Sequence, residues 1–134
     1  MKLVCEGKER KASTMENFRR LGAFHEDRAA RLLEERGYRI LEKNYRCRIG
    51  EIDLIARDGR TLVFIEVKYR RTDSFGRPEE AVDARKQRTI CRAADYYRME
   101  HRIEEFCPCR FDVAVFLGEE MRLIRNAFPY QRGK

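Results

Sequence analysis

The chain has 134 residues, 43% hydrophobic and 40% charged, and its 30 lysines and arginines against 23 acids give a net charge of +7. This length suits one domain whose core needs neither disulfides nor a structural metal, and the periodic apolar runs exclude a disordered chain. A sequence pI of about 9.4 is that of proteins that meet phosphate polyanions, although a heavily solvated surface gives the same sum. No stretch is long and apolar enough to cross a membrane, and residues 1–20 contain no signal-peptide core, so a cytoplasmic location is expected.

Residues 1–15 read as a charged, frayed lead-in, 16–128 as a single domain and 129–134 as a loose tail. A helix is expected over 16–36. Its stripe includes Phe18, Leu21, Ala29, Leu32 and Leu33, with Gly22 as an interruption and Gly37 as the residue just past its end. Strands follow over 38–46 and 50–57. The Asp58-Gly59 pair predicts a two-residue hairpin into a third strand over 61–69. After a basic loop over 70–78, Pro78 with Glu79 and Glu80 marks the start of a second helix running to about Met99. Strands over 110–117 and 121–125, joined by a turn at Gly118-Glu119, complete the order α-β-β-β-α-β-β.

Alternation across a strand puts Glu51, Asp53 and Ile55 on one face of the second strand. On the third strand it puts Leu62, Phe64, Glu66 and Lys68 on one face and Val63, Ile65 and Val67 on the other. Both strands carry apolar residues on both faces, the pattern of central strands covered on each side. Asp53, Glu66 and Lys68 are therefore charges on otherwise apolar strands, costly unless paired or metal-bound. The hairpin brings Asp53 and Glu66 together. Two adjacent carboxylates raise each other's pKa, and a divalent cation such as magnesium relieves the repulsion. Glu26, with Ala29, Ala30 and Leu33 at helical spacing, lies on the buried side of the first helix and can be aimed at the same cluster. A strand-end salt bridge would use the same residues. The convergence of an acid, an acid-x-lysine and an inward helix acid favours a site.

These residues resemble a known pattern. Asp53 followed by Glu66-Val67-Lys68 resembles the PD-(D/E)XK signature of nucleases with a restriction-endonuclease-like fold, and the element order is similar to archaeal Holliday-junction resolvases. A closer resemblance, to the YraN-like family of small bacterial proteins, runs from about Gly22 to Phe128. It is carried by Gly22, Glu26 and Ala29, Gly37-Tyr38, Asn44 and Arg46, and by Gly50-Glu51-Ile52-Asp53-Leu54-Ile55. Phe64-Ile65-Glu66-Val67-Lys68, Phe75-Gly76, Pro78, Ala81-Val82, Lys86, Arg110-Phe111-Asp112-Val113 and Asn126-Ala127-Phe128 continue it. Two departures stand out: His25 replaces the usual glycine before Glu26, and Ile52 replaces the signature's proline.

The resemblance implies an α/β restriction-endonuclease-like core with a mixed central sheet flanked by helices. It also implies a metal-dependent endonuclease acting on DNA, branched or single-stranded. Asp53, Glu66 and Glu26, with the backbone carbonyl of Val67, would hold Mg2+ or Mn2+, and Lys68 would orient the attacking water or stabilise developing charge. Arg46, Arg48, Arg70, Arg71, Arg77 and Lys86 would grip nucleic acid, joined by Arg85, Arg88 and Arg92 on the second helix, although solvated basic residues look the same. Tyr69 and Phe75 are candidates for stacking on bases. Glu51 is a second acid or a partner for Arg48, and Asp112 reads as structural, paired with Arg110. Of the five cysteines only Cys107 and Cys109 are close, too few for a structural zinc site, and free thiols are expected. A homodimer, as in resolvases of similar fold, is a further implication. The competing readings are a non-catalytic nucleic-acid-binding module and a purely structural charge cluster.

Overall fold

The computed structural model describes residues 7–70 and 82–131. The first helix, α1, covers Gly7–Glu35. It begins inside the expected lead-in rather than at Glu16 and passes through Gly22 without interruption. Ala29, Ala30 and Leu33 form its buried face, at most 3% exposed. The helix ends where Gly37 takes φ 98°. Tyr38 N–H returns to Leu33 O and Gly37 N–H to Glu34 O, both at 3.0 Å. This pair of bonds satisfies the last free carbonyls and needs a left-handed residue at Gly37.

Five strands form one sheet in the order β1-β2-β3-β4-β5: Arg39–Arg46, Glu51–Asp58, Thr61–Arg70, Cys109–Leu117 and Glu120–Ile124. All neighbours are antiparallel except β3 and β4, which run parallel. That parallel step requires a crossover, supplied by the second helix, α2, over Ala84–Glu100. The element order and the mixed sheet are those expected. The hairpin forms where Asp58-Gly59 predicts it, with Gly59 at φ 61° and Asp58 opposite Thr61.

The start of α2 differs from expectation. Pro78, Glu79 and Glu80 lie outside the described residues, and the helix begins after Asp83, whose Oδ1 accepts from Lys86 N–H at 2.8 Å. Asp83 is extended, with ψ 170°. An aspartate so placed satisfies a backbone donor of the first turn that nothing else in the helix can meet. Of the expected tail, residues 132–134 lie outside the described residues, while Tyr130 O–H donates to Asp95 and Gln131 N–H to Cys91 Sγ at 3.3 Å.

Each helix covers one face of the sheet. Leu54, Ala56, Val63, Ile65 and Phe116 pack under α1, while Ile55, Leu62, Phe64, Phe111 and Val113 pack under α2. Phe64, 1% exposed and stacked on Phe111 at 5.4 Å, sits at the centre of the second layer. Its truncation to alanine would cost about 3–5 kcal/mol. The expected alternation on β2 fails at one place. Ile52 packs in the α2 layer beside Ile55, although Leu54 is in the α1 layer. Across from this step on β1, Asn44 has φ 56°. A left-handed residue turns the ribbon locally, and asparagine tolerates that conformation better than most residues. The break falls at Asp53, so this carboxylate sits where the two faces meet.

Asp112, 1% exposed, closes the other end of the α1 layer. It accepts from Tyr38 O–H at 2.9 Å, from Arg110 Nε at 2.9 Å and from Asn126 N–H at 2.9 Å. A buried charge so completely paired is structural, as the sequence suggests. No helix among the described residues is long and apolar enough to cross a membrane.

Candidate functional site

The β2–β3 register sets Leu54 opposite Ile65 and Ile55 opposite Phe64, which carries Asp53 and Glu66 to the same end of the sheet. Val67 N–H donates to Asp53 Oδ2 at 2.9 Å and ties the two strands together at the site. Glu26 reaches in from α1 to the neighbourhood of Asp53 and the Asn44 side chain, and Asp53 lies in turn beside Glu66. Glu66 is the most enclosed of the three, 7% exposed. Its Oε2 lies 3.7 Å from Lys68 Nζ and 3.8 Å from Lys86 Nζ.

Burial and crowding shape the protonation of this chain of acids. Burial first, then the charge of Asp53, pushes Glu26 up to about 7. The same causes push Glu66 up to about 7, against the pull of Lys86 and Lys68. Asp53 is also raised, by burial, although the Val67 N–H and a proton on Glu26 partly compensate. Near neutral pH the three carboxyls therefore share protons instead of carrying three full charges.

An all-oxygen donor set of crowded carboxyls fits a hard divalent cation in its chemistry. The side chains do not stand as a closed cage: among the described residues no three His, Cys, Asp or Glu side chains are grouped so as to hold an ion. Asp53 Oδ2 is turned to the Val67 amide and Glu66 Oε2 to two lysines, so these contacts involve one oxygen of each carboxyl.

The other expected residues divide. Lys86, read from the sequence as a phosphate contact, belongs to the carboxylate cluster through Glu66. Arg46 is exposed and pairs with Glu51 at 3.7 Å, so Glu51 serves Arg46 rather than Arg48. Arg48 is exposed on the β1–β2 turn. Arg70 lies at the end of β3 with its Nη1 3.3 Å from Tyr69 O. Arg71, Arg77 and Phe75 lie outside the described residues. Tyr69 stacks on His25, ring centroids 4.4 Å apart, and remains 36% exposed.

His25 is 6% exposed, and neither ring nitrogen has a hydrogen-bond partner. Burial lowers its pKa, with help from Arg28, so the ring is neutral at pH 7. With Leu21, Gly22, Glu26, Val67 and Tyr69 it lines a cavity of about 240 Å3. Asn44 is the site residue whose role the pattern did not disclose; its signal was an asparagine in mid-strand, a residue suited to positive φ.

The family model described as "Uncharacterised protein family UPF0102" matches residues 25–116. The chain is 55% identical over 107 residues to a UPF0102 protein of Lachnoclostridium phytofermentans, a match covering 80% of this chain and 91% of that one. It is 50% identical over 119 residues to a UPF0102 protein of Syntrophus aciditrophicus, covering 86% and 93%. A UPF0102 protein of Caldicellulosiruptor saccharolyticus is 42% identical over 118 residues, covering 84% and 99%.

Proposed function

Because this chain belongs to the UPF0102 family, whose description names no reaction, its chemistry has to be read from its own side chains, and we propose that it is a metal-dependent endonuclease that hydrolyses phosphodiester bonds in DNA. One observation carries this reading. Glu26, Asp53 and Glu66 form a connected acid cluster with raised pKa values, and Lys68 lies 3.7 Å from Glu66. Clusters that spend stability on crowded carboxyls are characteristic of functional sites.

Asp53, Glu66 and Glu26, with the carbonyl of Val67, would hold magnesium or manganese. Such an ion, when bound, polarises a phosphodiester oxygen and lowers the pKa of the attacking water. Lys68 orients that water or stabilises the charge that develops on the phosphoryl oxygens. Glu26, with its carboxyl near 7, exchanges a proton at neutral pH without a large penalty in either direction. Lys86 holds Glu66 from α2 and limits the repulsion between Glu66 and Asp53. Arg46, Arg48 and Arg70, around the same end of the sheet, grip the phosphate backbone, joined by Arg71 and Arg77 further along the chain.

A second reading, a non-catalytic nucleic-acid-binding module with the same fold, is favoured by the absence of a ready three-ligand group among the described residues. Incubation with labelled single-stranded, duplex and four-way-junction DNA separates the two. Manganese, magnesium or chelator is varied, beside Asp53→Asn and Lys68→Ala. Metal-dependent cleavage lost in both variants supports the endonuclease and identifies its substrate. Salt-sensitive binding without cleavage under every condition supports the module.

A further inference from the structure

A cleft of about 490 Å3 lies at the hairpin end of the sheet, away from the carboxylates. Its lining includes Arg39 at the start of β1, Arg57 near the end of β2, Arg60 in the β2–β3 turn and Arg102 just past α2, against one acid, Glu104. Arg39 and Arg57 are cross-strand partners, so their side chains stand side by side on one face. Arg57 is fixed by its Nη1, which donates to Arg60 O at 3.2 Å and to Cys107 Sγ at 3.4 Å.

Among the described residues none of these four guanidinium groups forms an ion pair. The nearby Arg110 and Arg125 show the contrast, because both pair with Asp58, at 3.0 and 3.1 Å. Arg102 adds a conformational cost. It has φ 51° at the end of α2, where Ile103 N–H returns to Arg98 O at 2.9 Å. Glycine takes this position without strain, and a side chain there is disfavoured. Phe106, also lining the cleft, is 90% exposed.

Unneutralised guanidinium groups around a concavity repel one another and favour a polyanion. Planar guanidinium matches phosphate oxygens bidentately, and an exposed aromatic ring offers a face on which a base can stack. We infer that this arginine cleft is a second phosphate-binding site, which anchors a nucleic-acid strand at the end of the sheet opposite the carboxylates. The inference rests on the proposed function for the nature of its ligand, and not for the cleft itself. From Thr61 to Glu66 the strand β3 spans about 17 Å, or roughly five base-pair steps. A strand held at the cleft would thus enter the carboxylate end at a set distance from its anchor.

The test uses the full chain carrying Asp53→Asn, so that cleavage does not consume the probe. Fluorescence anisotropy of labelled single-stranded and duplex DNA, each of about 20 nucleotides per strand, is followed as sodium chloride is varied. The variants are Arg60→Gln with Arg102→Gln, Phe106→Ala, and Arg31→Gln on the exposed side of α1 as a control, each checked by thermal melting. The double variant is expected to weaken binding roughly tenfold and to reduce the salt slope by about 1.4–1.8, the value for two phosphate contacts. Phe106→Ala is expected to weaken single-strand binding at least about fivefold, and Arg31→Gln to leave the slope unchanged. A slope that falls equally in the control, or not at all in the double variant, overturns the inference. Tripolyphosphate that binds the cleft without displacing DNA also overturns it, by identifying a free oligophosphate as the ligand. Failure of the proposed function reads out separately, as absence of metal-dependent cleavage by the protein with Asp53 intact.

Discussion

Replacement of Glu66 by glutamine tests whether the acid cluster is held at a cost. Glu66 is 7% exposed, and its pKa rises from the ordinary 4.5 to about 7, through burial first and the charge of Asp53 second. The folded-state value lies above the unfolded one, so the native protein binds this proton more tightly than the unfolded chain. The resulting stabilisation is complete below about pH 4.5 and is lost as pH rises through about 7. Ionising Glu66 at pH 8 therefore costs on the order of 3 kcal/mol of native stability, with the pull of Lys68 and Lys86 already included. Glutamine keeps the shape and removes the charge. Glu66→Gln should thus be more stable than the parent at pH 8 by on the order of 2–3 kcal/mol, or roughly 8 °C in Tm for a chain of this size. At pH 4.5 the difference should vanish. Thermal unfolding followed by circular dichroism at the two pH values measures this. A variant no more stable than the parent at pH 8, or a difference independent of pH, would refute the argument that burial and Asp53 burden this carboxylate. Excess magnesium should raise the parent's Tm at pH 8 and leave the variant's nearly unchanged, because ligand binding stabilises only the state that binds it.

Asp112→Ala should cost about 3–5 kcal/mol in urea unfolding, because Arg110, Tyr38 and the Asn126 amide lose a shared acceptor. Gly50→Ala should destabilise by about 1–3 kcal/mol, since a Cβ there would come within 2.6 Å of Thr89 Cγ2 on α2. Adding Thr89→Ser, which deletes that methyl, should recover most of the loss in a double-mutant cycle. Lys86→Ala should raise the pKa of Glu66 further and move the acid limb of any cleavage pH profile upward. Lys68→Ala, by contrast, should lower kcat by about 10²-fold or more, as loss of a charge-stabilising group does.

Much of the architecture was legible because it depends on local pattern. Period-two apolar runs around Asp58-Gly59 required a hairpin of buried strands, and hairpin register alone brings Asp53 to Glu66. Gly37 announced the end of α1 because only a left-handed residue closes the helix as Tyr38 and Leu33 do. The start of α2 was misplaced because Pro78 and Asp83 both carry helix-start chemistry, and pattern alone does not rank them. The bond from Asp83 to the Lys86 amide does.

The inventory of acids and the single lysine beside them follow from the chain itself, since residue type and strand periodicity are one-dimensional facts. What required the tertiary structure was everything that depends on distance between elements. Lys86 became a partner of Glu66 because α2 packs its first turn over the end of β3. The alternation broke at Asp53 because Asn44, on a neighbouring strand, turned the ribbon. Arg39, Arg57, Arg60 and Arg102, scattered along the sequence, became one cleft because the hairpin and the end of α2 meet there. Charges interact through space, and their energies fall with separation in the folded molecule, whatever their separation along the chain.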